Sequence, residues 1–291
     1  MDGDTRLADF LRARRELARP ADVGLPETGR RRVRGLRREE LAMLAGVSTD
    51  YYVRLEQGRD RHPSEEVLTA LARVLGLDED ALAHMRQLAA ARPRRRKPAG
   101  KPERVSPGLL QLLRQWPDQP VCLVSRFRDV LACTTLFAAL HPGLSRDQNL
   151  MRMLFLDPAE RDLYPDWETI ARDSVASVRA GAGADLDHPR LTELVGELVL
   201  KSDDFARLWA RHDVRFKLPG SKRFRHPVVG EFTLSYETFS VTASPGQSLI
   251  VYHAEPGTRD ADALSLLASH AATTAADRSA GQVLQFGAAA R

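Results

Sequence analysis

Along the first ninety residues, apolar positions recur at a spacing near 3.6, the period of a helix with one buried face. Leu7, Phe10, Leu11 and Leu17 fall near one face of a helix expected over 5–18. The stretch "RPADVGLPETGRRRVRG" that follows is rich in Pro, Gly and Arg and reads as a loop. Two short helices are expected over 37–44 and 49–57, a fourth over 64–75, and a fifth from 78 to 90. Ser64 and Asp78 are placed to cap the last two, with Glu65 and Glu66 in the first turn of the fourth and Gly76 at its end. Five short helices in so few residues predict a compact all-α domain.

Beyond residue 104 the pattern changes. "GLLQLLRQW" (108–116) is helical in period, and "PVCLVSRFRDVLACT" (120–134) reads as two short strands around a turn at 126–129. Helices are expected over 134–140, 149–156, 166–181, 189–200 and 203–212. Then "SKRFRHPVVGEFTLSYETFSVT" and "QSLIVYHAE" alternate and carry β-branched and aromatic residues, as strands do. This order predicts an α+β domain, an antiparallel sheet with helices over it. The chain thus divides into a helical domain over 1–91, a basic linker over 92–104 ("RPRRRKPAGKPER"), an α+β domain over 105–257, and a tail over 258–291 that is weakly helical or unordered.

The stretch "EELAMLAGVSTDYYVRLEQGR" meets the packing needs of a helix-turn-helix. Leu41 and Leu44 face the core, Ala42 is small where the helices approach, Gly46 takes the turn, and Ser48 caps the second helix. Tyr52 and Leu55 face back to the core, which leaves Thr49, Asp50, Val53 and Arg54 outward. Charge agrees with a polyanionic partner for this part alone. Residues 1–104 hold 23 Lys/Arg against 17 Asp/Glu, while the rest hold 20 against 22. A solvated basic surface explains the same numbers. Two cysteines, Cys122 and Cys133, share no metal spacing and make no disulfide framework, so a reducing cytoplasm is expected. The N-terminus is acidic and polar rather than a signal peptide, and no run approaches the ~20 apolar residues of a membrane span.

The helix-turn-helix stretch and the "HPSEEVLTALARVLGL" helix after it resemble the Xre-type, lambda-repressor-like class. The resemblance implies binding to a double-stranded DNA operator, usually as a homodimer. The long Arg-rich loop, together with "LFLDPAERDLYPDWETIARDSVASVRA", "LVGELVLKSDDFARLWARHDV" and "PGQSLIVYHAEPGT", is similar to the MmyB-like branch of that class. That similarity runs from Leu7 to Thr258 and implies a C-terminal PAS-like domain for a small, largely apolar effector, a fatty acid or acyl compound among the candidates. One departure is visible: Cys133, Thr134 and Thr135 stand where the family tends to have Trp-Asn-Pro. On the reading helix, Thr49, Asp50 and Arg54 are the expected base readers, and Val53 suits a thymine methyl. Arg37, Arg38, Tyr51, Arg59 and Arg61 are the expected phosphate contacts, and the cluster 30–34 either reaches the backbone or stays solvated.

For the effector, Phe127, Leu131, Phe137, Phe155, Trp167, Trp209, Tyr236 and Tyr252 either line a cavity or fill a dry core; Leu154, Leu200, Phe205 and Phe232 share that ambiguity. Arg223, in "KRFRHP", either anchors a carboxylate or makes a surface ion pair. A cavity of a few hundred Å³ is expected of a ligand site, and a filled core of a dimerisation or protein-interaction module. Enzyme signatures are missing: there is no G-x-S-x-G, no P-loop and no Cys/His metal set, and no cofactor is implied. Cys133 reads as a reactive thiol or as a small buried hydrophobe.

Overall fold

The structure is a computed structural model that describes residues 5–26, 35–60, 62–90, 104–183, 185–215, 220–276 and 283–286. The Arg30–Arg34 cluster, Arg61 and all but the last residue of the expected linker lie outside the described residues.

The N-terminal unit holds α1 (Arg6–Leu17), α2 (Arg38–Ala45), α3 (Thr49–Glu56), α4 (Glu65–Val74) and α5 (Glu79–Ala90), with a 3-10 turn at Pro20–Val23. Its boundaries are set by local chemistry. The Ser48 hydroxyl accepts from the Tyr51 amide, Ser64 from Val67, and the Asp78 carboxylate from Ala81. Gly46 takes φ +70° at the end of α2, a left-handed turn that lets α3 fold back. Phe10, Leu11, Leu36, Leu41, Tyr52 and Met85 fill the core. The chain re-enters this core over the end of α1, where the Leu36 amide donates to the Arg15 carbonyl. A Cβ at Gly35 would lie 2.4 Å from the Glu16 carbonyl oxygen, so only glycine fits there.

The C-terminal unit opens with α6 (Pro107–Arg114), β1 (Val121–Val124) and β2 (Val130–Thr134). Then come α7 (Thr135–Leu140), α8 (Leu150–Leu156), α9 (Pro158–Leu163), α10 (Trp167–Ala182), α11 (Pro189–Lys201) and α12 (Asp203–Trp209). β3 (Gly220–His226), β4 (Gly230–Ser240), β5 (Ser248–His253), α13 (Arg259–Ala276) and β6 (Val283–Gln285) complete it. The strands pair antiparallel in the order β3-β4-β5-β1-β2-β6. Strand alternation sends Cys122, Val124, Phe224, Phe232, Leu234, Ile250 and Tyr252 to one face, where α7 to α13 cover them.

The expected antiparallel sheet with helices is present, and helices lie on both of its faces: Leu113 of α6 packs with Val121, Leu123, Leu131 and Leu249 in a second core opposite the main one. One expectation is corrected here: the chain after 257 is no weak appendage. Leu264 and Leu267 of α13, three residues apart on one turn, are buried in the main core, and β6 pairs with Ala132–Thr134 of β2. Among the described residues, no helix is long and apolar enough to cross a membrane.

Candidate DNA-reading surface and ligand cavity

The expected reading surface is the outer face of α3. Thr49, Asp50 and Arg54 are exposed, and Val53 is half-buried. Arg54 Nη1 donates to Asp50 Oδ2 at 2.5 Å, one helical turn apart, so the two expected base readers hold each other. Such an exposed pair is weak and leaves both side chains open to other partners. Tyr51 is half-buried, with the Arg54 guanidinium 5.9 Å from its ring. Arg37 and Arg59 are exposed. Arg38 is held: its Nε and Nη2 donate to Glu56 Oε1 at 3.1 and 2.9 Å, while almost half of the side chain stays open to solvent.

Glu56 is the residue that the pattern analysis missed. It ends α3 fully buried, with its carboxylate taking Arg15 Nε at 2.8 Å and Arg15 Nη2 at 2.9 Å. Burial works to raise its pKa, but the hydrogen bonds from Arg15 and Arg38 outweigh this and hold it below the ordinary range. The signal was available: Glu56 follows Tyr52 by four residues on the buried face, and Arg15 follows Leu11 by four.

Within the C-terminal unit a cavity of about 40 Å³ lies between α8, α9, α10 and the sheet. Leu150, Met151, Met153, Leu154 and Ile170 give it an apolar side; Arg128, His141, Glu160, Tyr164, Ser174, Ser177, Lys222 and Tyr252 give it a polar one. Arg128 sits at φ +69° in the β1–β2 turn, and its Nη2 donates to Ser177 Oγ at 2.5 Å. Burial lowers its pKa, and among the described residues it makes no ion pair. Lys222 Nζ donates to the Tyr252 hydroxyl at 2.9 Å and lies 5.3–5.5 Å from the rings of Tyr164, Tyr236 and Tyr252. Burial raises the Tyr164 and Tyr252 pKa values well above the ordinary phenol, so both remain donors. Glu160 is taken by His141 Nδ1 (3.1 Å) and the Gly143 amide (3.3 Å). Two cations therefore face a cavity whose one carboxylate is already engaged.

This sorts the expected ligand residues. Of the nine put forward, Tyr252 lines the cavity, as does Leu154 from the wider group. Tyr236 and Phe137 stand one shell behind, against Lys222 and His141. Leu131 points to the opposite face of the sheet. Phe127 is buried against His188 and Arg126. The Trp167 indole donates to the Leu154 carbonyl at 3.0 Å and lies under Arg161. Phe155 and Trp209 flank Phe205 instead. Arg223 is spent on Asp166 at the surface; its neighbour Lys222 is the inward cation. Strand alternation could have shown this, since residues 222, 224 and 226 share the face of buried Phe224. Cys122 and Cys133 face each other across β1 and β2, fully buried, and burial raises the Cys133 thiol pKa. That favours packing over reactivity.

A helix-turn-helix joined to a sheet-and-helix domain that encloses a mixed cavity is the architecture of a transcription regulator with a ligand-binding domain. Residues 6–85 match the family described as helix-turn-helix domain. Residues 105–267, more than half of the chain, match the family described as MmyB-like transcription regulator ligand binding domain, and the chain belongs to that family. These are families of regulators and not of enzymes. No curated protein matches the chain.

Proposed function

We propose that the protein is a cytoplasmic, homodimeric regulator whose effector is an amphiphile with an apolar chain and an anionic head, a fatty acid or related acyl compound. The observation that carries this reading is the cavity wall: thioethers and leucines on one side, Arg128 and Lys222 on the other. Arg128, whose charge is penalised by desolvation, makes no ion pair among the described residues, and an incoming carboxylate removes that cost. The test compares dodecanoate with dodecanol. Dodecanoate is expected to bind about tenfold tighter or more, and Arg128→Gln to erase the difference. Equal binding of the two sinks the anionic-head reading.

The size of the cavity favours a second reading. At about 40 Å³ it is far below the few hundred expected of a ligand site, so in this conformation the core is nearly filled, as in an interaction module. Native mass spectrometry separates the two. A stoichiometric co-purified small molecule supports the first; a bare dimer that also ignores dodecanoate supports the second.

On DNA, each protomer sets α3 in the major groove, with half-sites ~10 bp apart. Arg54→Ala is expected to weaken a selected operator by ~1–3 kcal/mol and relax one base position. Arg38→Ala is expected to weaken all sequences alike and lower the salt slope by about one. Anisotropy titrations against selected and random duplexes check both. An unchanged specific-to-random ratio in Arg54→Ala removes Arg54 from the base readers.

A further inference from the structure

Helix α10 belongs to two sites. Ile170, Ser174 and Ser177 wall the cavity, and Ser177 holds Arg128. Less than one turn on, Ala180 joins the core of the N-terminal unit, together with Val214. Between them stands Arg179, only 2% exposed. Its guanidinium lies 3.9 Å over the Trp209 ring, and Nη2 donates to the Trp209 carbonyl at 2.7 Å. His84 of α5 and His212 both present their rings to Phe10 of α1, at 5.7 and 6.5 Å. Burial first, and then Arg179, lower these two imidazoles to about 4 and about 3, so the cluster carries a single cation. At its rim Arg14 of α1 pairs with Asp213 at 2.5 Å, and Arg6 pairs with Asp187. A second route reaches the same place. Phe155, on cavity helix α8, meets Phe205 edge-on at 5.2 Å, and Phe205 stacks on Trp209 at 5.8 Å.

We propose that the α1/α5 face of the DNA-reading unit is a docking surface for the ligand domain, and that Arg179 is the positioning residue through which the state of the cavity sets that docking. The inference rests on the reading of the cavity as a ligand site. The argument is mechanical. A cavity of about 40 Å³ admits an acyl chain only if its wall moves. Over less than two turns an α-helix moves as a rigid piece, its residues rising ~1.5 Å each, so Ser174 and Ser177 cannot shift without carrying Arg179 and Ala180. Packed interfaces respond to such shifts by repacking rather than by bending. An occupant that binds one packing better then biases the docking of the whole reading unit. The docked face leaves Thr49, Asp50 and Arg54 exposed, so what is controlled is the placement of α3 and not its cover.

The test uses the full chain without any ligand, so its failure is distinct from a failure to bind dodecanoate. Ser174→Leu adds bulk to the cavity wall, and hydrogen exchange is read at the amides of α1 and α5. The substitution is expected to change their exchange by about fivefold or more, the lower end of allosteric couplings. The change is expected to persist when Arg14→Ala breaks the rim pair and to be clearly smaller in Arg179→Met. Arg179→Lys replaces Arg179→Met should the latter fail to fold. Unchanged exchange at α1 and α5, or the same change with and without Arg179, overturns the proposal.

Discussion

Glu56→Ala is expected to cost the DNA-reading unit about 3–5 kcal/mol, the usual penalty for leaving a buried charge without its partner. The orphan is Arg15, 5% exposed, whose guanidinium would keep only the Leu36 carbonyl, the bond from Nη1 at 2.8 Å, and its contact with exposed Glu16. Domains of this size hold about 5–15 kcal/mol in total, so the loss is a large share. The three tryptophans, Trp116, Trp167 and Trp209, all lie in the C-terminal unit. Urea unfolding followed by circular dichroism should therefore show an early helical transition while tryptophan fluorescence keeps its midpoint. Coincident wild-type midpoints in both signals would falsify the expectation. The pH dependence follows from the same pair. The folded Glu56 pKa lies below its unfolded value, so its stabilisation is present above the ordinary carboxylate range and is lost as pH falls through the lowered value. Glu56→Gln should remove this acid-side slope.

Leu267→Ala is expected to destabilise the C-terminal unit by about 2–5 kcal/mol, with tryptophan fluorescence now reporting the shift. Leu267 is fully buried on α13, where it belongs to the same core as Phe224 and Tyr252. Leu266→Ala is the control, since its side chain is 64% exposed and should stay within about 0.5 kcal/mol of wild type. Equal effects at the two positions would mean that α13 does not close the core.

The helical unit was largely legible because its determinants are local. Ser48, Ser64 and Asp78 cap helices that begin next to them, and Gly46 makes the turn it occupies. Tyr52 and Leu55 lie inward because the period alone requires it. What escaped was set by distant partners. Arg15 and Glu56 meet only after α1 and α3 pack together. Leu131 alternates correctly with its neighbours, but alternation does not say which face α6 will cover. The cavity cations, Arg128 and Lys222, come from a turn and an edge strand that topology alone brings together. Large aromatic residues misled for a general reason: Phe155, Trp167 and Trp209 bury area best in a dry core, and that is where they lie. Tail helix α13 was underrated because its apolar spacing rests on few leucines among alanines and serines.

The short strand β6 has a consequence for handling the molecule. The sheet has two margins. On β3 the row of Lys222, Arg223 and Arg225 discourages a foreign strand from adding on. On the other side β2, "VLACT", carries no such charge, and β6 alone occupies its free backbone groups, with the Phe286 amide on the Leu131 carbonyl. A chain cut before Val283 exposes an apolar, uncharged margin that can template association between copies. Solubility and aggregation, more than folding, are then what β6 governs.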